Sequence, residues 1–305
     1  MSSVKTFDPE RRRAEKDAAR RADIVSLAAG DDPLSLEQAN GLAHAALADG
    51  RISRAEALDL LSHLSSNGGV CLVGGQSVGL WANLLDPEGG RLSKFMPYAT
   101  SDIDYLGDLA AARLFAERSG GRLFKPGPDT MNSNSTALVE VDVSGRKVVV
   151  DFLHAIIGVP SEEVRKAAVV VVVGDVEMRV LHPLHVLRSR VANMLSAATS
   201  RRDLISTNQA RAAVEIVKLW CEARLAGGDR RVVTRELSDL VAYADRDFFG
   251  RRAFGELGID VLAPARPFLD DPRLPDVWRE KSLAAGLDRA TARRDARLNR
   301  IAPNP

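Results

Sequence analysis

The fold turns on Val70-Cys71-Leu72-Val73-Gly74-Gly75-Gln76-Ser77 and, after a long interval, Ser101-Asp102-Ile103-Asp104-Tyr105. Four apolar residues that stop at paired glycines read as a buried strand entering a tight turn. Ser77 to Leu85 then continues as a short helix. Taken alone the paired glycines suit an ordinary tight turn, and the functional alternative is that such a strand, turn and helix brings backbone N–H groups close to an anion. Glycine offers no Cβ to obstruct the approach, and the helix start carries partial positive charge. The turn is neither a Walker nor a dinucleotide loop, because it lacks the Gly-Lys-Ser/Thr ending and the third spaced glycine.

Working outward, Asp102 and Asp104 flank Ile103 on an expected strand, Asp102 to Tyr105, and residues two apart on a strand project from one face. Like charges so placed repel unless a cation lies between them, and hard carboxylate ligands of this kind suit Mg²⁺ or Mn²⁺. Asp151 stands between Val148-Val149-Val150 and Phe152-Leu153, a run expected to be a largely buried strand, where a bare carboxylate is expensive. The third ligand is placed at Asp151. Asp142, beside Glu140, Ser144 and Arg146 in the preceding strand, is the alternative.

The two runs Ala137 to Val143 and Lys147 to Leu153 form a hairpin through Ser144-Gly145-Arg146, and a further pair, Ala168 to Val173 and Glu177 to Leu181, turns at Gly174-Asp175. Leu109 to Arg118 is helical by propensity. From Pro183 onward helices dominate, the clearest being Leu184 to Leu195, Thr207 to Leu225 and Arg235 to Ala244. Before the strand region, Pro9 to Ala22 reads as a charged, solvated helix and Ser35 to Leu64 as a helical hairpin broken at Asp49-Gly50. That break is a plain turn rather than a calcium loop, since Ala45 and Leu47 fall where oxygen ligands belong. His182 and His185 read as capping or packing residues, with Pro183 starting their helix. Asn132 and Asn134 belong to a loop. The tail arginines Arg289, Arg293, Arg294, Arg297 and Arg300, against Asp288 and Asp295, read as a solvated basic helix by default, with RNA binding as the alternative.

With 305 residues, 45% hydrophobic and 27% charged, the chain has enough apolar material for one or two packed domains. Cys71 and Cys221 stand far apart with no CxxC or His-rich surroundings, so neither a zinc site nor a disulfide framework is indicated, and a reducing cytoplasm is the expected location. Met1 to Ala22 lacks the apolar core of a signal peptide, and Ala167 to Val173 is too short to span a bilayer, so no membrane partner is expected. A formal net charge of +1 argues against a protein that coats nucleic acid without specificity.

Taken together, these motifs resemble the DNA polymerase beta-like nucleotidyltransferase superfamily. Its signature is a hydrophobic residue with Gly-[Gly/Ser] at a helix start, then Asp-hydrophobic-[Asp/Glu]-hydrophobic, then a later acid. Here it reads Val73-Gly74-Gly75, Asp102-Ile103-Asp104-Tyr105 and Asp151. Within the superfamily the wording is most similar to the AbiEii group, toxins of abortive-infection and type IV toxin-antitoxin systems. Leu181-His182-Pro183-Leu184 leading to Arg188 and Arg190, then Arg202-Asp203, is similar to that group's later pattern of a basic helix and an Arg-Asp or Lys-Asp pair. The resemblance covers about residues 70 to 220. It requires an inserted loop from Asp86 to Ala99, and it puts arginine where the group's helix carries lysine.

The resemblance implies an α/β (α+β) fold with a mixed sheet flanked by helices. Residues 1–67 would form an N-terminal helical extension, 68–181 the nucleotidyltransferase domain, and 182–305 a mostly helical C-terminal domain with a basic tail. It implies a metal-dependent enzyme that moves NMP from an NTP to an acceptor hydroxyl on RNA, protein or a small molecule, with pyrophosphate release. Asp102, Asp104 and Asp151 would be the catalytic and Mg²⁺ (or Mn²⁺) ligands. Gly74, Gly75, Gln76 and Ser77 would receive the NTP phosphates, and Arg190, Arg202 and Lys218 would contact nucleotide or acceptor. Partners so implied are the NTP, an RNA or protein acceptor and an antitoxin protein. The alternative of another class is an inactive protein of the same fold that binds nucleotide, RNA or a protein without turnover.

Overall fold

The computed structural model describes residues 60, 62–64, 69–96, 103–125, 134–143, 145–173, 176–197, 199 and 202–301. The expected helices over Pro9 to Ala22 and most of Ser35 to Leu64, together with Asp102, Asn132 and Gly174-Asp175, lie outside them.

Seven strands form one sheet in the order β3-β4-β5-β2-β1-β7-β6. They are β1 (Cys71–Val73), β2 (Ile103–Leu106), β3 (Arg122–Phe124), β4 (Ser135–Val143), β5 (Arg146–Leu153), β6 (Val169–Val173) and β7 (Val176–Val180). The hairpins β3/β4, β4/β5 and β6/β7 are antiparallel, as is β1/β2, whereas β2/β5 and β1/β7 are parallel. The sheet is therefore mixed. Two expected hairpins are present, and the β4/β5 turn contains Gly145 at φ 79, a conformation that glycine adopts without steric cost. Neither β3 nor the helix α3 (Ser161–Ala167) stands out in the sequence, both being short and weakly periodic.

Alternation along β4 and β5 divides the sheet into two unlike faces. Val139, Val141, Val150 and Phe152 are buried, with Tyr105 of β2, beneath α2 (Leu109–Ser119), whose Phe115 completes an aromatic cluster with ring centroids 5.6–6.5 Å apart. Each such pair adds about 0.5–1.5 kcal/mol beyond simple area burial. Asp108 caps α2 by accepting from the Ala111 N–H at 2.9 Å, and Gly120 ends the helix in the left-handed region. The other face carries Leu138, Glu140, Lys147 and Asp151, half-buried or exposed, and α1 (Gly74–Leu85) starts beside it. At the β6 edge Val170 and Val172 point outward and are more than half exposed, so the five-valine run is buried on one side only.

The helical half comprises α4 (Pro183–Leu195), α5 (Leu204–Ala226), α6 (Arg230–Arg246) and α7 (Gly250–Leu257). A helical turn (Asp276–Trp278) and a π-helical segment (Arg279–Ala284) then run directly into α8 (Ala285–Ile301). Capping explains the starts of α4 and α5. The His182 ring accepts from Leu184 N–H at 3.2 Å ahead of Pro183, and the Asp203 carboxylate accepts from Ser206 N–H at 2.8 Å. Apolar packing is continuous from Leu60 through the sheet to Ala290, with no break between sheet and helices. Trp81 of α1 illustrates the join, donating to Leu181 O at 2.8 Å and meeting Trp220 of α5 edge to face at 5.2 Å.

Within the expected insertion, residues 86–96 fold aside onto α5. The Asp86 carboxylate accepts from the Arg91 and Leu92 N–H groups, each at 2.8 Å, and Leu92 is buried. Arg91 pairs with Glu222 at 2.7 Å and with Glu215, while Asn208 donates to Met96 O at 3.4 Å.

Candidate functional site

The parallel pairing of β2 with β5 sets Asp104 opposite Asp151, and the antiparallel pairing of β1 with β2 sets Val73 opposite Asp104. Paired residues on adjacent strands share a face and lie about 4.8 Å apart along the hydrogen-bonding direction. The two carboxylates are thus neighbours on the open face, next to the residue that precedes the Gly-Gly turn. Gly74, the first residue of α1, has φ 67, and a methyl group added there would overlap the Asp104 carboxylate, coming within 2.8 Å of Asp104 Cβ and Cγ. Only glycine satisfies both the backbone conformation and the close approach.

Local interactions orient these groups. Ser135, opening β4, donates its hydroxyl to Asp151 Oδ1 at 2.6 Å, a short charge-assisted bond. Ser77 is fully buried and donates to Gly74 O at 2.8 Å, so its hydroxyl shapes the glycine turn. Gln76 is half-buried in the same turn, beside buried Gly75. No side chain caps α1 and its first turn has no acid, which leaves the positive end of the helix facing the Asp104 carboxylate.

Asp142 is elsewhere. It pairs in register with Lys147 at the hairpin tip, and its carboxylate accepts from Gly145 N–H at 2.9 Å. Four residues of strand separate it from Leu138, the partner of Asp151, a span of roughly 13 Å. Among the described residues no group of three or more His, Cys, Asp or Glu is arranged to hold a metal ion, and Asp102 is not among them.

The basic candidates are dispersed. Arg190 of α4 is half-buried against α5, where its guanidinium donates to Gln209 Oε1 at 3.1 Å. Arg188, two residues earlier, points instead to α3 and pairs with Glu163 at 2.8 Å. At about 100° per residue a helix cannot direct both to one ligand. Arg202 contacts Met194 O at 3.4 Å and lies 3.8 Å from Glu256 of α7. Lys218 lies one turn from Glu222, 4.0 Å away, on the stretch of α5 that receives Arg91.

Behind the sheet a buried polar hub joins β7 to the helices. Glu236 of α6 is 7% exposed, and its carboxylate accepts from Trp220 Nε1 at 2.8 Å and meets His182 Nε2 at 3.0 Å. Because His182 Nδ1 accepts from Leu184 N–H, the proton is assigned to Nε2, which donates to Glu236. His185 is buried 3.9 Å from Glu163. Desolvation, the largest cause, with the charge of Arg188 and any protonation of His182 acting in the same direction, pulls its pKa down to about 3, so the ring is neutral at ordinary pH. Burial likewise pushes the Cys71 thiol up to about 12, and both cysteines are free and buried.

Ser135 and Glu236 do not stand out in the sequence. Ser135 is out of phase with the alternation that puts Leu138, Glu140 and Asp142 on the open face of β4; the register shift between Ser135 and Ala137 brings its hydroxyl to the Asp151 side, and no local pattern marks that shift. Glu236 carries no local signal, since one glutamate among the charged residues of α6 looks solvated until the partners from α4 and α5 are known. No protein-family model matches the chain, and no curated protein or solved structure matches it. No described helix is long and apolar enough to cross a membrane.

Proposed function

We propose that the chain is a metal-dependent nucleotidyltransferase that transfers a nucleoside monophosphate from an NTP to an acceptor hydroxyl. The observation that carries the reading is the placement of Asp104 beside Asp151 at the Gly74 turn. Two carboxylates on neighbouring strands, one of them against a glycine that admits no side chain, repel each other in the absence of a cation. This donor set fits Mg²⁺ or Mn²⁺. The mixed sheet with helices on both sides supports a polymerase beta-like fold, and the resemblance of the motifs adds the AbiEii-type toxin setting with an antitoxin as partner.

In this reading Asp104 and Asp151, with Asp102 two positions before Asp104, would hold the metal, which when bound would offset the triphosphate charge and lower the pKa of the acceptor hydroxyl. The Gly74 and Gly75 backbone faces the phosphates at the positive end of α1, and Ser77 keeps that turn closed through Gly74 O. Ser135 holds Asp151 by Oδ1, orienting the carboxylate to take the acceptor's proton. The acceptor oxygen forms its bond to the α-phosphorus as the bond to pyrophosphate breaks, and pyrophosphate leaves with the electron pair. The half-buried and exposed side of β4 and β5 provides room for NTP and acceptor.

The test is pyrophosphate release by the full chain with each NTP, Mg²⁺ and a cell extract as acceptor source. Release that requires Mg²⁺ and falls at least a hundredfold in Asp104→Asn and Asp151→Asn is the expected result. NTP binding without any release assigns the inactive binding role. Absence of both metal and NTP binding ends the reading.

A further inference from the structure

A cleft of about 320 Å³ opens on the helical half, between α6, the π-helical segment and the start of α8. Its size is that of a small-molecule site. Ser238, Asp245 and Arg246 come from α6, Lys281 from the π-helical segment, and Gly286 and Arg289 from α8.

The charged residues of this cleft are three cations, Arg246, Lys281 and Arg289, and one acid, Asp245. Neighbouring arginines are spent on acids: Arg252 on Glu256, Arg266 on Asp260, Arg273 on Asp271 and Arg293 on Asp245. The side chains of Lys281 and Arg289 form no ion pair or hydrogen bond with any described residue. Arg246 has only a 3.9 Å approach to Asp245. Asp245 is the acid of the cleft wall, but it is 6% exposed and already engaged by Arg293 at 2.7 Å. Three cations thus line a concave surface whose one acid is engaged by Arg293.

Backbone geometry holds the arrangement. The widened π-helical turn is an uncommon element that recurs at functional sites, and here it shifts Lys281 relative to the α8 residues that follow. Gly286 lets α8 lie close on α6: a methyl group there would come within 3.0 Å of Val241 Cγ1.

We infer that this cleft is a binding site for a phosphomonoester, with Arg246, Lys281 and Arg289 as its cationic ligands. A tetrahedral dianion matches the charge of three cations lining one cleft, and planar guanidinium forks such as those of Arg246 and Arg289 can bind its oxygens in pairs. The site lies on different elements from the Asp104 carboxylate and requires no metal.

The test is isothermal titration of the full chain, in EDTA, with inorganic phosphate, AMP, adenosine and RNA oligonucleotides bearing a 5′-phosphate or a 5′-hydroxyl. Phosphate-bearing probes bind saturably and adenosine and the 5′-hydroxyl RNA do not. The Lys281→Gln/Arg289→Gln double variant, altered only at exposed side chains, weakens binding about tenfold or more with no change in melting temperature. Asp104→Asn binds as wild type does, which separates this site from the proposed catalytic one. AMP binding above phosphate assigns a mononucleotide as the ligand, and 5′-phosphorylated RNA above AMP assigns an RNA end. Failure of every phosphate-bearing probe to bind, equal binding of adenosine, or unchanged affinity in the double variant overturns the inference.

Discussion

Replacing Gly74 with alanine probes the contact on which the candidate site depends. An alanine at φ 67 has its Cβ close to its own carbonyl oxygen, a strain of about 1–2 kcal/mol. The added methyl would also lie within 2.8 Å of Asp104 Cβ and Cγ, and overpacking of that kind costs about 1–3 kcal/mol. The sum is about 2–5 kcal/mol, and its two parts can be separated. Gly120, at the end of α2, has φ 63 with nothing within 4 Å of an added methyl, so Gly120→Ala reports the backbone strain alone. In urea denaturation of the full chain, Gly74→Ala should lose about 1–3 kcal/mol more than Gly120→Ala, at an unchanged slope. Pairing Gly74→Ala with Asp104→Gly removes the overlap, and the coupling energy of that cycle should recover most of the difference. In Gly74→Ala alone Asp104 must move, and pyrophosphate release should fall about a hundredfold, as it does when a reacting group is misplaced by an ångström. Equal losses in the two alanine variants, or a cycle without coupling, would refute the packing of the glycine turn against Asp104.

Two other outcomes follow from the buried polar groups. Glu236→Ala leaves the His182 and Trp220 donors without their acceptor and should cost about 3–5 kcal/mol, against less than about 0.5 kcal/mol for Glu162→Ala in the exposed Lys166 pair; urea titration measures both. His185 is held neutral by burial with its pKa near 3, below the 6.5 of a free imidazole, so the unfolded chain binds the extra proton first as pH falls. Stability should decline from pH 6.5 towards 3, and His185→Leu should flatten that part of the profile in denaturation series across the range.

Much of the architecture is legible in the sequence because it rests on local chemistry. The period-two runs around Gly145, the proline after His182 and the apolar recurrence through α4, α5 and α6 specify elements that neighbouring residues alone stabilise, and observed ends differ by a few residues. The helix after the glycines begins at Gly74 rather than at Ser77, since a helix start unmarked by a capping side chain leaves no local sign of itself.

Pairing between distant strands is another matter, because nothing within β2 says which strand it will join. Residue type marks Asp104 and Asp151, as does the apolar run around the latter, and only the parallel register of β2 with β5 sets one beside the other. The antiparallel register of β4 with β5 turns Asp142 from a rival ligand into a hairpin cap. Helical rotation sends Arg188 to Glu163 and Arg190 to Gln209, and a buried Glu236 gains its meaning from donors on two other helices. By itself the sequence determined most of the longer strands and helices and which residues could bear charge at a site, because those properties follow from periodicity and side-chain chemistry, whereas the short β3 and α3 left no such mark. Tertiary structure decided which of the described charges meet, because register and helix packing are long-range choices driven by burial of the shared apolar core.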